Sequence, residues 1–187
     1  MAHVRSLIAT TIATALLMSV VFVATFRADR AYANAVGQCQ ETQLDVKWVP
    51  DGAGLGHVAD LIVVTNISAD TCTLSGYPSV KMTGAAKTAS VVVARKTQNG
   101  YLGGLGGTGA ALALPVVKLR AHGGIASSMV EGDDTPPGNA VTCLLFTKVS
   151  VAIPRLSPTY RLTIKFPGCI RPEVHPIVKG TSGTSVK

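Results

Sequence analysis

The chain has 187 residues, of which 47% are apolar and 5% aromatic, and its formal net charge at pH 7 is +7. Its lysine and arginine residues are scattered, without a basic run and without interleaved aromatic residues, which argues against nucleic-acid binding. The length that remains after an N-terminal apolar segment suits one domain of ordinary size.

Residues 1–35 have the features of an export signal. Arg5 precedes an uncharged apolar segment at Ser6–Phe26, expected to be helical, and the small residues of Ala31–Ala35 suit signal peptidase. The segment approaches the roughly 20 residues that span a bilayer, so an uncleaved membrane anchor is the alternative. We expect a secreted or envelope-associated protein, which contacts the membrane only if this segment is retained.

The first predicted strand is Gln43–Val49, whose alternating pattern places Trp48 on the core side. A glycine-rich turn is predicted at Asp51–His57. Asp60–Asn66 follows as a strand rich in β-branched residues, with apolar side chains on both parities, which is typical of a central strand covered on both faces. Asn66–Ser68 also fits an N-glycosylation string, although a turn explains Asn66 adequately.

A second strand follows at Thr71–Leu74 and ends in the string C-x-L-x-G-Y-P at Cys72–Pro78. Together with Gly54-x-Gly56 and Asn66, this pattern resembles domain of unknown function 4232 (DUF4232), a family of exported actinobacterial proteins with an immunoglobulin-like β-sandwich. The resemblance covers roughly Cys39–Val178. The family has no established activity, so the resemblance implies a fold and a compartment only.

The later strands are predicted from apolar runs between turn signals, at Ser79–Thr83, Ser90–Arg95, Pro115–Leu119, Ile125–Val130, Leu144–Ile153 and Arg161–Phe166, with an edge strand at Glu173–Val178. Glu131–Asn139 is predicted to be a loop, and residues 180–187 a disordered tail. No sustained helical period is present. About seven to nine short strands therefore predict an all-β, immunoglobulin-like antiparallel β-sandwich over residues 36–179.

Four cysteines, Cys39, Cys72, Cys143 and Cys169, all follow the export segment. An even count in an oxidising compartment predicts two disulfides, and three pairings are possible from sequence. We favour Cys39–Cys72 and Cys143–Cys169, because each ties neighbouring strands. The absence of a C-x-x-C spacing argues against thiolate metal binding and thioredoxin-like chemistry.

The glycine-dense loop Gln98–Gly109 is the best candidate for a binding surface, through Tyr101, Leu102 and Leu105. Gly104–Gly109 fits G-x-G-x-x-G formally. However, the phosphate-binding form of that motif needs a following helix, and the proline at 115 comes too early for one.

No catalytic set is recognisable, and no G-x-S-x-G nucleophile motif is present. We therefore predict a protein that is not an enzyme, needs no cofactor or metal, and binds or scaffolds a cell-wall polymer or another envelope protein. One alternative is an envelope hydrolase or metal-handling protein whose site assembles from His57, His122, Glu131 and Asp133. Another is a membrane-anchored accessory subunit.

Overall fold

The computed structural model describes residues 36–84, 90–106, 112–139 and 142–185, which are all-β apart from a short 3-10 helix at Glu41–Gln43. The predicted export segment, 1–35, lies outside the described residues. Among the residues that are described, no helix is long and apolar enough to span a membrane.

Twelve strands are present in the described ranges: β1 Leu44–Gly54, β2 His57–Asn66, β3 Cys72–Ser75, β4 Ser79–Gly84, β5 Val91–Val93, β6 Arg95–Lys96, β7 Val116–Leu119, β8 Gly124–Asp133, β9 Leu144–Ala152, β10 Thr159–Gly168, β11 Glu173–Val174 and β12 Val178–Lys179. The first sheet has the order β1-β2-β8-β11-β6, and β12 also pairs with β8. The second has the order β10-β9-β4-β5, and β3 and β7 form a two-stranded sheet.

One apolar core is shared by all three sheets. Among its most buried members are Ile62, Val64, Val80, Met82, Leu119, Phe146, Val151 and Phe166. Trp48 packs against this core, with its ring edge-to-face on Phe166 at a centroid distance of 5.9 Å. Its predicted position on the core side is confirmed.

The antiparallel pairing of β2 with β8 sets the positions of the polar residues discussed below. His57, at the start of β2, lies opposite Asp133 at the end of β8, and Asn66 lies opposite Gly124 at the other end. On the face turned away from the main core, Leu61 and Met129 form a second buried cluster. The prediction that β2 is central and covered on both faces is therefore confirmed.

Two predicted boundaries near this pair are wrong. The turn expected at Asp51–His57 narrows to Leu55 and Gly56, both with positive φ, because β1 continues to Gly54. The loop expected at Glu131–Asn139 begins later, because β8 continues through Asp133. Ladder pairing with β2 keeps these acidic residues extended, against their weak strand propensity.

The expected strand Ser90–Arg95 is divided at buried Ala94 into β5 and β6, which belong to different sheets. The expected edge strand Glu173–Val178 is also divided, and Pro176 lies in the break between β11 and β12. β11 is not an edge strand, because it lies between β8 and β6. Its pairing with β6 is parallel, so the first sheet is not purely antiparallel as predicted.

Part of the expected disordered tail is packed. The Gly183 N–H donates to Oγ of Ser127 at 2.8 Å, and the Thr184 hydroxyl donates to the Gly104 carbonyl at 2.8 Å. These bonds place residues 180–185 against β8 and the loop that follows β6, which is incompatible with the predicted disorder. Residues 186–187 lie outside the described ranges.

Both favoured disulfide pairings are present. Cys39 is bonded to Cys72 and Cys143 to Cys169, with Cα–Cα distances of 4.7 Å and 4.5 Å. The first bridge lies inside the main core, whereas Cys143 and Cys169 are half-buried.

Candidate functional site

The loop at residues 99–106, between β6 and β7, is held by a buried carboxylate on β8. The Tyr101 N–H donates to Oε2 of Glu131 at 2.8 Å, and the Leu102 N–H donates to Oε1 at 3.1 Å. A Cβ at Gly100 would overlap this carboxylate, so the close approach requires glycine there. The Glu131 carboxylate therefore fixes the position of the loop.

The Tyr101 side chain is held flat although it is mostly exposed. Its ring stacks on the His57 ring with a centroid distance of 3.8 Å and an interplanar angle of 17°. Nδ1 of His57 lies 2.7 Å from Oδ1 of Asp133, and this contact fixes the orientation of the imidazole ring. Tyr101 as a whole nevertheless remains 81% exposed. We call Tyr101, His57 and Asp133 the aromatic platform.

The aromatic platform forms part of an open cleft of about 730 Å³, which we call the platform cleft. Arg95 and Glu173 form an ion pair along its rim. Arg171 is positioned by its Nε, which donates to the Val93 carbonyl at 2.8 Å. Ile170, with 48% exposure, adds an apolar contact surface.

Two buried ionisable groups lie beneath the cleft. Burial raises the pKa of Glu131, and the N–H groups of Leu102 and Tyr101 oppose that shift. Burial lowers the pKa of His175 to about 4, against a smaller opposing effect of Glu173. Nε2 of His175 lies 3.3 Å from Oε1 of Glu131, but neither ring nitrogen has a hydrogen-bond partner within the described residues. The contact therefore involves a neutral imidazole and is not an ion pair.

The three predicted loop residues have different environments. Tyr101 lies in the platform cleft, and Leu102 packs against the cluster that contains Leu61 and Met129. Leu105 lies on a separate groove near Val116. Of these three residues only Tyr101 faces the cleft, and Leu102 anchors the loop from below.

Three of the four residues proposed for a hydrolase or metal site converge. His57, Glu131 and Asp133 meet in the platform cleft. His122 does not, because it lies in the turn before β8, where its N–H donates to the Ser68 carbonyl at 2.9 Å. β8 separates it from Asp133 by about ten residues, or roughly 30 Å. The predicted four-residue site is therefore wrong, and the described part of the chain holds no cluster of three metal-ligating side chains.

The sequence interpretation missed Arg95, Arg171, Glu173 and His175. Arg95 and Glu173 meet because β6 and β11 pair in parallel across a sequence separation of 78 residues. No local pattern signals such a pairing, since each strand is only two residues long. The order polar, apolar, polar at 173–175 fits a strand, but it does not indicate which neighbour that strand meets.

The sequence model of one protein family, described as Domain of unknown function (DUF4232), matches residues 39–181. The comparisons with curated proteins and with solved structures gave no match. The matched range runs from before β1 to just after β12, so the aromatic platform and the rim of the cleft lie inside the family domain.

Proposed function

The chain belongs to the DUF4232 family, and we propose that it is an exported, non-catalytic binding domain whose ligand occupies the platform cleft. The observation that carries this proposal is Tyr101, a residue whose ring is stacked on His57 and which is yet 81% exposed. An aromatic side chain that is already ordered loses little conformational entropy when a ligand binds. A concave site with a few convergent polar groups is the usual setting for such binding.

Binding fits the polar groups of the cleft better than catalysis does. Both oxygens of Glu131 already accept loop N–H groups, and Nδ1 of His57 is engaged by Asp133. Among the described residues that line the cleft, no serine, threonine, cysteine or lysine side chain stands beside His57 to act as a nucleophile.

A hydrolase is the second candidate, and the contact between His57 and Asp133 favours it. A carboxylate that orients an imidazole is the arrangement that general acid–base catalysis uses. In this cleft the Tyr101 ring covers one face of the imidazole. The hydrolase candidate therefore depends on a substrate that reaches Nε2 of His57 past this ring.

The proposed compartment is supported by the two disulfides, since such bonds persist in oxidising environments. The shared core of the two larger sheets supports an immunoglobulin-like sandwich.

Fractionation of the producing cells, followed by an intact-mass measurement, tests both export and crosslinking. We expect extracytoplasmic material that begins after Ala35 and is lighter by about two protons per bridge. Free thiols or a retained cytoplasmic chain would contradict export.

The binding proposal is tested by co-sedimentation of the purified chain with insoluble envelope material from the producing organism. Tyr101→Ala should lose most of the sedimented fraction. The matched control is Ile67→Ala, which removes another exposed apolar side chain (58% exposed) just after the opposite end of β2. Equal sedimentation of the wild type and both variants would place binding elsewhere. Turnover in a hydrolase screen that is lost in His57→Gln would favour the second candidate.

A further inference from the structure

We propose that the platform cleft binds a neutral glycan, with one pyranose ring stacked on Tyr101. This inference rests on the proposed binding function and adds the chemical class of the ligand. Three features of the cleft carry it: the exposed flat ring, the planar polar groups of the rim, and the balance of charge among them.

The flat ring matches one face of a sugar. A pyranose has a face of C–H groups that packs well on an aromatic ring, and its hydroxyl groups point outward from the edges. The stack with His57 occupies one face of the Tyr101 ring, and its high exposure leaves the other face open. The Glu131 carboxylate fixes the Tyr101 backbone as well, so the stacking surface exists before a ligand arrives.

The rim supplies hydrogen-bonding groups around this surface. Arg95 and Arg171 carry planar guanidinium groups, and Asp133 and Glu173 carry carboxylates. Planar groups of both kinds can bind two neighbouring donors or acceptors at once. Adjacent hydroxyl groups of a sugar both donate and accept, so they complement a rim that contains cations and anions.

The balance of charge favours a neutral ligand over an ionic one. The two arginines of the cleft are matched by Asp133 and Glu173, and the Glu131 carboxyl is buried beneath the loop. Since the one unmatched acidic residue, Glu131, is buried and already accepts two loop N–H groups, neither an anionic polymer nor a basic peptide gains a strong electrostatic attraction. A lipid is disfavoured because Ile170 is the main exposed apolar side chain beside the ring.

The size of the cleft indicates a segment of a polymer. Its volume of about 730 Å³ lies within the roughly 300–1,000 Å³ typical of small-molecule sites, and the cleft is open to solvent. A glycan chain can therefore extend beyond it at either end. We expect internal sugar units to bind, without a requirement for a chain terminus.

The test uses the ¹⁵N-labelled full chain and a panel of oligosaccharides: cellohexaose, maltohexaose, mannohexaose and hexa-N-acetylchitohexaose as neutral probes, and an oligogalacturonate as the anionic probe. At least one neutral probe should shift the backbone amide signals of Tyr101, Gly132 and Arg171. Tyr101→Phe should retain its affinity, because the ring remains. Tyr101→Ala should weaken binding by about tenfold, and Ile67→Ala should bind as the wild type does.

Two results would overturn the inference. If only the oligogalacturonate shifts the cleft signals, or if Tyr101→Ala leaves binding of a neutral probe unchanged, the site is not a neutral-glycan site. If no probe shifts these signals while envelope sedimentation still depends on Tyr101, the glycan class is wrong and the proposed binding function stands. If sedimentation is also independent of Tyr101, both are wrong.

Discussion

Asn66 is a fully buried amide that joins the end of β2 to two neighbouring turns. Its Nδ2 donates to the Asp70 carbonyl at 2.7 Å and lies 3.2 Å from the Arg120 carbonyl. Its Oδ1 accepts from the Ser68 N–H at 3.0 Å and from the Ser68 hydroxyl at 2.8 Å. No glycan could be attached to this side chain in the folded protein. Asn66 therefore acts as a structural residue that holds the two turns, and the glycosylation string around it is not used in the folded state.

Asn66→Ala should therefore be among the most destabilising substitutions outside the apolar core. It removes the hydrogen bonds that this fully buried amide makes to the two turns, at a cost of about 2–4 kcal/mol in the free energy of unfolding. Ser68→Ala removes only one of the partners and should cost about 1 kcal/mol. Denaturant unfolding of the oxidised protein measures both values. A loss below about 0.5 kcal/mol for Asn66→Ala would show that the turns hold without the amide.

His175 predicts a dependence of stability on acidity. Its pKa is lowered by burial from 6.5 to about 4, so between these values the unfolded chain binds a proton that the folded chain does not. The unfolding free energy should therefore fall as the pH falls through this window, by about 3 kcal/mol from this group alone. His175→Gln should remove that part of the slope, measured as the difference between unfolding free energies at the two ends of the window.

Glu131 and Glu173 are the charged groups that face His175, and Glu131 acts in the opposite sense. Burial raises the pKa of Glu131. The contribution of Glu131 to stability therefore falls as the pH rises above the ordinary pKa of a glutamate. Glu131→Gln should therefore steepen the loss of stability on acidification. If His175→Gln leaves the dependence of the unfolding free energy on pH unchanged, His175 is not the group that causes the loss of stability in acid.

At the level of elements, the sequence predicted well what depends on local pattern. The β-branched residues indicated β2, and the alternation of apolar and polar residues indicated β1. Both signals are local, because the side chains that each strand buries are the apolar ones in its own sequence. The extension of β8 through Asp133 was missed because its acidic residues resemble a turn, and only the ladder with β2 keeps them extended. The division at Ala94 was missed because a continuous apolar run does not show which sheet each half joins.

The loop at residues 99–106 gives a prediction at the same scale. Gly100→Ala should push the loop away from Glu131 and break the hydrogen bonds that hold the Tyr101 and Leu102 amides. We expect faster hydrogen exchange at both amides and a stability loss of about 1–3 kcal/mol. Gly52→Ala is the matched control, because a Cβ there meets no atom within 4 Å. Unchanged protection at Tyr101 in Gly100→Ala would mean that Glu131 does not fix the loop.

At the scale of the whole molecule, the cleft could be foreseen only in parts. Tyr101 was predicted because loops on a rigid sandwich often carry binding, and His57, Glu131 and Asp133 were named only in the alternative of a hydrolase or metal site. Their convergence depends on the register of β2 with β8 and on the parallel contact of β6 with β11, which join distant segments. A single sequence contains no periodic signal for either pairing.

The two disulfides close loops of similar size, with sequence separations of 33 and 26 residues. The chain-entropy model assigns each about 3.5–4 kcal/mol, which is a large share of a typical stability of about 5–15 kcal/mol. Their surroundings differ, because Cys39 and Cys72 are each 2% exposed whereas Cys143 and Cys169 are only half-buried. Replacing the buried pair by alanine should therefore also loosen the packing of the core.

We expect Cys39→Ala/Cys72→Ala to lower the unfolding free energy by about 1–2 kcal/mol more than Cys143→Ala/Cys169→Ala does. Guanidinium unfolding of the two double variants under identical conditions measures this difference. The pair at 143 and 169 serves as the control, because it is half-buried and lies outside the core cluster, so its removal costs loop entropy with a smaller loss of packing. Equal losses would mean that chain entropy alone accounts for both bridges. A larger loss for the pair at 143 and 169 would show that this bridge, which ties the start of β9 to the end of β10, contributes more than the core packing around the other bridge.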